Sequence, residues 1–229
     1  MKKKTYIFIG APILIAVISA IVIMNLDWGT VESEIKKSKI EEVNTIRVQE
    51  RTTFVDLNGI DIGNYKANTA NKDNLELLFN IEGLKKTTGR FNDVSVKLDV
   101  IENRDLSELN VKINTSSIFT NNSIRDEALV SNEYFDVKKY PTITYQSNAI
   151  TRGDSSLITT GLLDFMGGKN ELSFPIIIVG QGVNDNDINF TAFEGQFDFD
   201  RTKYGMTEEK GIGNIVHVSF YCEMVHKED

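Results

Sequence analysis

The stretch VHVSFYCEM, from Val216 to Met224, alternates apolar and polar residues over its whole length. Successive side chains of a β-strand point to opposite faces, so this period of two predicts a strand with one face in a core and the other in solvent. Cys222 falls on the apolar face, which predicts a buried and inert thiol. Because it is the only cysteine, an intramolecular disulfide and all multi-cysteine metal motifs are excluded.

The same alternation recurs in seven earlier segments, which Gly, Asn and Asp residues separate. Their apolar positions lie within Leu75–Ile81, Val94–Val100, Leu109–Ile113, Ile143–Tyr145, Leu157–Phe165, Leu172–Ile178 and Phe193–Phe199. Roughly eight such strands predict an all-β fold, either a sandwich or a single antiparallel up-and-down barrel. The segment from Asn121 to Phe135 lacks this alternation and is predicted to form one short helical insertion.

The N-terminus carries the pattern of a membrane anchor. Lys2, Lys3 and Lys4 precede an uncharged run from Thr5 to Leu26, and about 20 apolar residues suffice to cross a bilayer core. The positive-inside tendency then predicts a single-pass protein of the cytoplasmic membrane, with residues 27–229 on the extracytoplasmic (periplasmic or outer) side. A cleaved secretory signal is the alternative, although the run is longer than the usual apolar region of such signals.

The ectodomain divides into a lead-in and a barrel domain. Residues 27–66 begin with the charged stretch VESEIKKSKIEEV, at 31–43, which is typical of a solvated stalk, and continue as an irregular lead-in. Residues 67–229 hold the alternating segments and are predicted to form the barrel. The pattern at 44–70 does not decide between an irregular segment and an extra hairpin.

Three stretches give the chain a family resemblance. They are RDEALVSNEYFDVKKYPTITY at 125–145, TTGLLDFMGGKNELSFPI at 159–176, and FDFDRTKYGM at 197–206 followed by GNIVHVSF at 213–220. In residue types and spacing they resemble the YceI-like family of lipocalin-like, polyisoprenoid-binding proteins of the bacterial envelope. This resemblance implies a lipocalin-like barrel over residues 67–229 that binds an apolar lipid, such as a quinone-like or polyprenyl chain.

The chain departs from the resembling family at three positions. Members of that family often carry histidines where this chain has Ala128 and Met166, and a basic residue where it has Asn170. The resemblance therefore implies a ligand held by apolar contact with few polar determinants.

Candidate polar sites are poorly placed for catalysis. His217 and His226 are separated by an odd number of positions, so on one regular strand they point to opposite faces. Glu194, Asp198 and Asp200 share a face, but it lies opposite the phenylalanines of the same strand. We therefore predict no catalytic residues, no metal site and no enzymatic activity. The formal net charge of -8 also excludes nucleic-acid binding.

Aromatic residues on the apolar faces are the candidate lipid-binding residues. They are Phe79, Phe91, Phe135, Tyr145, Phe165, Phe174, Phe197 and Phe199. An eight-stranded barrel can either be filled by such side chains or enclose one small ligand. The resemblance to the YceI-like family, and not this pattern, favours an enclosed ligand. It implies binding, storage or transport of an apolar lipid, with no other cofactor. The alternative is a non-enzymatic envelope protein with a filled core, and a homodimer or an envelope protein partner stays open.

Overall fold

The structure is a computed structural model that describes residues 31, 56–69, 74–83, 86–183, 189–207 and 211–227. The predicted anchor at 1–26, and the predicted stalk apart from Val31, lie outside the described residues. Within the described residues, no helix is long and apolar enough to span a membrane.

The described residues form eleven strands and one α-helix. The helix, α1, spans Ser123–Val130 and has the side chain of Asn122 as its N-cap. The strands are β1 Gly63–Ala67, β2 Leu75–Gly83, β3 Thr87–Phe91, β4 Val94–Val100, β5 Glu108–Asn114, β6 Ile118–Phe119, β7 Thr142–Arg152, β8 Leu157–Phe165, β9 Gly168–Val183, β10 Asn189–Asp200 and β11 Ile212–His226.

Eight of these strands close into an antiparallel barrel. They pair in the order β1-β4-β5-β7-β8-β9-β10-β11, and β11 pairs back to β1. The other three extend the wall at one end, because β2 pairs with β11 and β3, and β3 pairs with β6. The predicted all-β antiparallel barrel is thus confirmed. All eight alternating segments lie in strands, and the helix begins and ends inside the predicted segment.

The barrel begins earlier along the chain than the predicted domain limits. Strand β1 starts at Gly63, inside the range 27–66 that the sequence assigned to the lead-in. Its pattern, GNYKA, offers only Tyr65 and Ala67 as inward residues, which is too short an alternation to stand out. The turn Leu57–Gly59 also belongs to the barrel, because Leu57 is buried in its core.

A turn of the chain covers one end of the barrel, which we call the turn end. Arg152, at the end of β7, forms an ion pair of 3.0 Å with Asp56. The guanidinium of Arg104 donates to the carbonyl oxygen of Ile60, and the amide of Gln181 donates to that of Gly59, both at 3.1 Å. These contacts hold residues 56–60 across the ends of separate strands. We call the opposite end, where α1 lies, the helix end.

Gly161 permits a close approach of two neighbouring strands. It lies in β8 opposite a register shift in β7 between Ser147 and Ala149. A Cβ atom at this position would overlap the carbonyl oxygen of Gln146 and the Cα of Ser147. Because both are backbone atoms, a side chain cannot be accommodated by a rotamer change.

We therefore expect Gly161→Ala to lower the free energy of unfolding by about 1–3 kcal/mol. The measurement is urea unfolding of the full-length protein in non-ionic detergent, followed by circular dichroism. Leu162→Ala is the matched control, because this neighbouring side chain points outward and is exposed. Equal stability of the two variants would contradict the tight contact.

Candidate functional site

A cavity lies in the middle of the barrel. Its volume is about 100 Å³. Its walls are inward-facing side chains of β2, β4, β5, β7, β8, β9, β10 and β11. Val111 of β5 and Leu172 of β9 are only partly buried although they face inward. The barrel is therefore not filled at this level.

The cavity wall is apolar. Only three of its side chains carry a heteroatom, namely Tyr145, Cys222 and Met224, and none carries a charge. The hydroxyl of Tyr145 lies 3.0 Å from that of Thr159 and 3.3 Å from the carbonyl oxygen of Leu172, to which it donates. Burial raises the pKa of Tyr145 to about 12. Its polar group is thus engaged by the protein, and the wall selects for apolar contents.

Three of the eight aromatic residues that the sequence indicated line this cavity. They are Tyr145, Phe174 and Phe197. The rings of Phe174 and Phe197 are stacked with centroids 4.4 Å apart, and Tyr145 lies 5.0 Å from Phe174. These three residues lie on β7, β9 and β10, so the barrel brings them together from separate parts of the chain.

The other five aromatic residues form a continuous cluster at the helix end, which we call the aromatic plug. Consecutive ring centroids lie 5.5–6.0 Å apart in the order Phe79, Phe91, Phe135, Phe165, Phe199. Tyr204 adds a sixth ring that contacts both Phe165 and Phe199. The Phe79–Phe91 pair is tilted and the other pairs are edge-to-face, which is a geometry that aromatic rings prefer. The plug closes the helix end of the barrel instead of lining the cavity.

The sequence interpretation missed two aromatic residues of the cavity and its aliphatic half. Phe193 and Phe220 line the cavity, together with valines and leucines of β4 and β5. Phe193 and Phe220 stand at alternating apolar positions of their strands, so the sequence pattern could have identified them as inward-facing. The aliphatic residues carry no signal that separates a cavity wall from an ordinary core.

Cys222 lies in the cavity wall with only 3% of its surface exposed. Its thiol donates to the carbonyl oxygen of Glu223 at 3.7 Å. Burial is the main reason why its pKa rises to about 12, and the negative charge of Glu223 adds to this effect. The buried thiol that the sequence predicted is confirmed.

We expect Cys222 of the folded protein to react with iodoacetamide far more slowly than an exposed thiol at pH 8, because the thiolate is the reactive form. The control is Ser95→Cys, whose position is exposed on the outer face of β4. Mass spectrometry would follow alkylation of both thiols in that variant, before and after denaturation. Equal rates in the folded state would contradict the assigned burial.

The polar residues considered as sites lie outside the cavity. His217 contacts Asp198 at 2.7 Å on the outer surface, where their side chains are 43% and 59% exposed. Hydrogen bonds from Thr202 lower the pKa of Asp200. In the described residues, no group of three or more His, Cys, Asp or Glu is placed to hold a metal ion. These positions offer the cavity no acid, base or metal ligand.

Two motif residues, Arg201 and Asp126, serve as structural contacts at the helix end. Arg201 is buried and donates to the carbonyl oxygens of Gly213 and Thr207 at 2.9 and 2.8 Å, so it holds the β10–β11 connection. Asp126 accepts a hydrogen bond from the backbone N–H of Thr120 at 2.9 Å. Both contacts are local and distant from the cavity wall.

The three departures from the resembling family also lie away from the cavity wall. Ala128 is exposed on α1, and Met166 has a positive φ of 51° in the turn after β8. The side-chain amide of Asn170 donates to the carbonyl oxygen of Lys203 at 3.1 Å. The replacements therefore add no polar group to the cavity.

Comparison with known proteins agrees with this architecture. The sequence model of the YceI-like domain matches residues 65–224. A UPF0312 protein of Pseudomonas aeruginosa is 30% identical over 124 residues, which cover 54% of this chain and 65% of that protein. The match thus spans slightly less than two thirds of that relative's length.

Solved structures share the fold at low sequence identity. Burkholderia cenocepacia BcnA superimposes with a TM-score of 0.60 and 16% identity, covering 67% of this chain and 98% of BcnA. A polyisoprenoid binding domain from Saccharophagus degradans, implicated in plant cell wall breakdown, gives a TM-score of 0.54 and 13% identity, covering 73% of this chain and all of that domain. At these identities the likeness concerns the fold alone.

Proposed function

This chain belongs to the YceI-like domain family, and from this premise we propose that its barrel binds the apolar chain of a lipid. The observation that carries the proposal is the uncharged cavity in the middle of the barrel. Each CH₂ group of a ligand that leaves water for such a cavity contributes about 0.8 kcal/mol. Affinity for a chain-like ligand therefore requires no charged anchor inside the barrel.

An isoprenoid, such as a quinone-like or polyprenyl chain, is the ligand class that we favour. The related fold from Saccharophagus degradans is described as a polyisoprenoid binding domain. Methyl-branched chains also suit a wall that mixes aromatic rings with valine and leucine side chains. The two titratable groups of the cavity wall, Tyr145 and Cys222, have pKa values that burial raises to about 12, so both stay protonated near neutral pH. Because the described wall holds no charged side chain beside them, we propose binding, storage or transport and no catalysis.

We further propose that residues 1–26 retain the protein in the cytoplasmic membrane, with the barrel on the extracytoplasmic side. The uncharged run from Thr5 to Leu26, flanked by lysines, supports this topology. An anchor would keep the barrel beside the pool of membrane isoprenoids, which are nearly insoluble in water.

A filled barrel with a structural or protein-interaction role is the competing function. The aromatic plug favours it, because that half of the barrel is solid. Cross-linking in cells would distinguish the two functions, since an interaction module has a stoichiometric protein partner and a lipid carrier does not require one.

Organic extraction of the full-length protein, purified in mild detergent, tests the proposal directly. We expect mass spectrometry of the extract to reveal an apolar chain molecule in near-stoichiometric amount. Leu172→Trp is the control, because it retains the same N-terminus while its larger side chain occupies the cavity. Equal recovery from both proteins, or from neither, would contradict a ligand in the barrel.

A further inference from the structure

The turn of residues 56–60, which we call the end turn, is attached to the barrel without strand pairing. Its backbone hydrogen bonds are internal. The amide of Gly59 donates to the carbonyl oxygen of Asp56 at 3.0 Å, and that of Ile60 donates to Leu57 at 3.2 Å. Among the described residues, no backbone–backbone hydrogen bond joins the end turn to a strand. The end turn is therefore a separate unit that can move while the strands stay paired.

Three side-chain contacts hold the end turn to the barrel, and we call them the latch. They are the ion pair between Arg152 and Asp56 and the hydrogen bonds from Arg104 and Gln181. The side chain of Arg152 is 66% exposed, and exposed ion pairs contribute little to stability because water screens them. Local opening at this place therefore breaks few and weak contacts.

Two aliphatic side chains of the end turn close this end of the interior. Leu57 and Ile60 are 2% and 3% exposed, and they belong to the same buried core as Leu98 and Met224, which line the cavity. Leu98 and Met224 each lie two residues before the end of their strand, a distance of about 7 Å. The cavity thus comes close to the strand ends that the end turn covers.

The helix end is closed by rings that belong to the barrel itself. Four of the five phenylalanines of the aromatic plug lie on the strands β2, β3, β8 and β10. The fifth, Phe135, is fixed by its backbone, because its amide donates to the carbonyl oxygen of Leu129 at 3.0 Å. Moving the plug aside would break strand pairing. Of the two ends, the turn end is therefore the one that a local displacement opens.

Three exposed apolar side chains lie beside the end turn, and we call them the apolar rim. Ile62, Leu106 and Ile101 are 56%, 53% and 37% exposed. Ile62 and Ile101 flank the last residue pair of β1 and β4 at this end, and Leu106 lies in the connection from β4 to β5. Arg104 joins the rim to the end turn, because its guanidinium donates to the carbonyl oxygens of both Ile101 and Ile60.

We propose that the end turn is a lid, and that the apolar chain of the ligand enters the cavity at the turn end when the latch opens. This inference rests on the proposed function. The chain contacts the apolar rim and then passes the place that Leu57 and Ile60 occupy in the closed state. Because exposed Asp61, Glu102 and Asp105 also lie at this end, the rim suits an uncharged chain and not an anionic surface.

Stopped-flow fluorescence tests the entry route, with the full-length protein in mild detergent and a fluorescent polyprenol. Arg152→Glu places a second negative charge beside Asp56 and so opens the latch. We expect its association and dissociation rate constants to rise several-fold together, because a lid limits both entry and exit. The Kd should stay near that of the wild type, since the cavity is unchanged. Arg152→Lys, which keeps the positive charge, should retain the wild-type rates.

Lys169→Glu is the matched control at the helix end. Lys169 forms an ion pair of 3.4 Å with Asp164, and its side chain is 61% exposed, so this variant loses a comparable contact at the opposite end. We expect wild-type rates for it. Unchanged rates in Arg152→Glu, or a larger acceleration in Lys169→Glu, would overturn entry at the turn end.

Thiol labelling tests the lid without a ligand. In Leu57→Cys a thiol replaces a buried side chain of the end turn, and Cys222 in the cavity wall serves as the internal reference. We expect iodoacetamide to alkylate position 57 several-fold faster than Cys222, after each rate is divided by its value in the denatured protein. Adding Arg152→Glu should accelerate position 57 further. Equal normalised rates would mean that the end turn moves only when the barrel unfolds, which would overturn the lid.

The two proposals fail in different ways. If the wild type binds no polyprenol, lipid binding fails and the entry route fails with it. If the wild type binds polyprenol but Arg152→Glu leaves both rate constants unchanged, only the entry route fails. Near-ultraviolet circular dichroism would verify that every variant is folded.

Discussion

Replacing Leu172 by tryptophan should weaken binding of a fluorescent polyprenol by more than about tenfold. The Leu172 side chain lines the cavity and is only partly buried, so a larger side chain has space to enter. Displacing even two methylene groups of a ligand costs about 1.6 kcal/mol, and a tenfold change in affinity corresponds to about 1.4 kcal/mol. Fluorescence titration of the full-length protein in detergent measures the effect.

The matched control for this experiment is Leu162→Trp. Leu162 is exposed on the outer face of the neighbouring strand β8, so the same substitution leaves the cavity unchanged. Val111→Phe fills the cavity from β5. This second variant keeps the test valid if Leu172→Trp fails to fold. We expect both cavity variants to lose affinity while their unfolding midpoints stay near that of the wild type. Full affinity in both would contradict ligand binding in this cavity.

Replacing Phe165 by alanine should lower the free energy of unfolding by about 3–5 kcal/mol. Phe165 is the centre of the aromatic plug, with ring centroids of Phe135, Phe199 and Tyr204 within 5.8 Å. Its removal leaves a void that these rings cannot fill without losing their own contacts. Urea unfolding of the full-length protein in non-ionic detergent would give the difference.

Phe197→Ala is the control that separates the plug from the cavity. Phe197 stacks on Phe174 but also borders the empty space, so its removal breaks fewer packing contacts. We therefore expect a smaller destabilisation than for Phe165→Ala. If the two substitutions were equally costly, the division of the barrel into a solid and a hollow half would be wrong.

The residue pattern was sufficient to predict the walls of the barrel. The alternation in Val216–Met224 and its counterparts identified the inward faces, because the direction of a side chain on a strand is a local property. It was wrong in placing Tyr221 and Glu223 in solvent: they lie on the outward face but are only 8% exposed, and the hydroxyl of Tyr221 donates to the carboxylate of Glu223. The alternation did not separate Phe165, in the plug, from Phe174, in the cavity, because both side chains face inward. That distinction depends on how far along the barrel axis each residue lies. This position follows from strand register, which the alternation of apolar and polar residues does not encode.

Short strands were the second limit of the sequence interpretation. Strand β1 offers too few inward residues to show a period. Strand β3 contains Gly89, and the ring of Phe79 fills the space that a side chain at Gly89 would need. Both strands are defined by their partners and not by their own composition.

The aromatic plug also limits the length of any molecule that the barrel can hold. A chain that meets the rings of Phe135 and Phe165 can extend no further towards α1, and residues 56–60 stop it at the turn end. The two closed ends therefore set the length of the interior. A long polyprenyl chain would have to fold back on itself to fit between the two ends, so chain length, more than headgroup chemistry, would decide which molecules are retained.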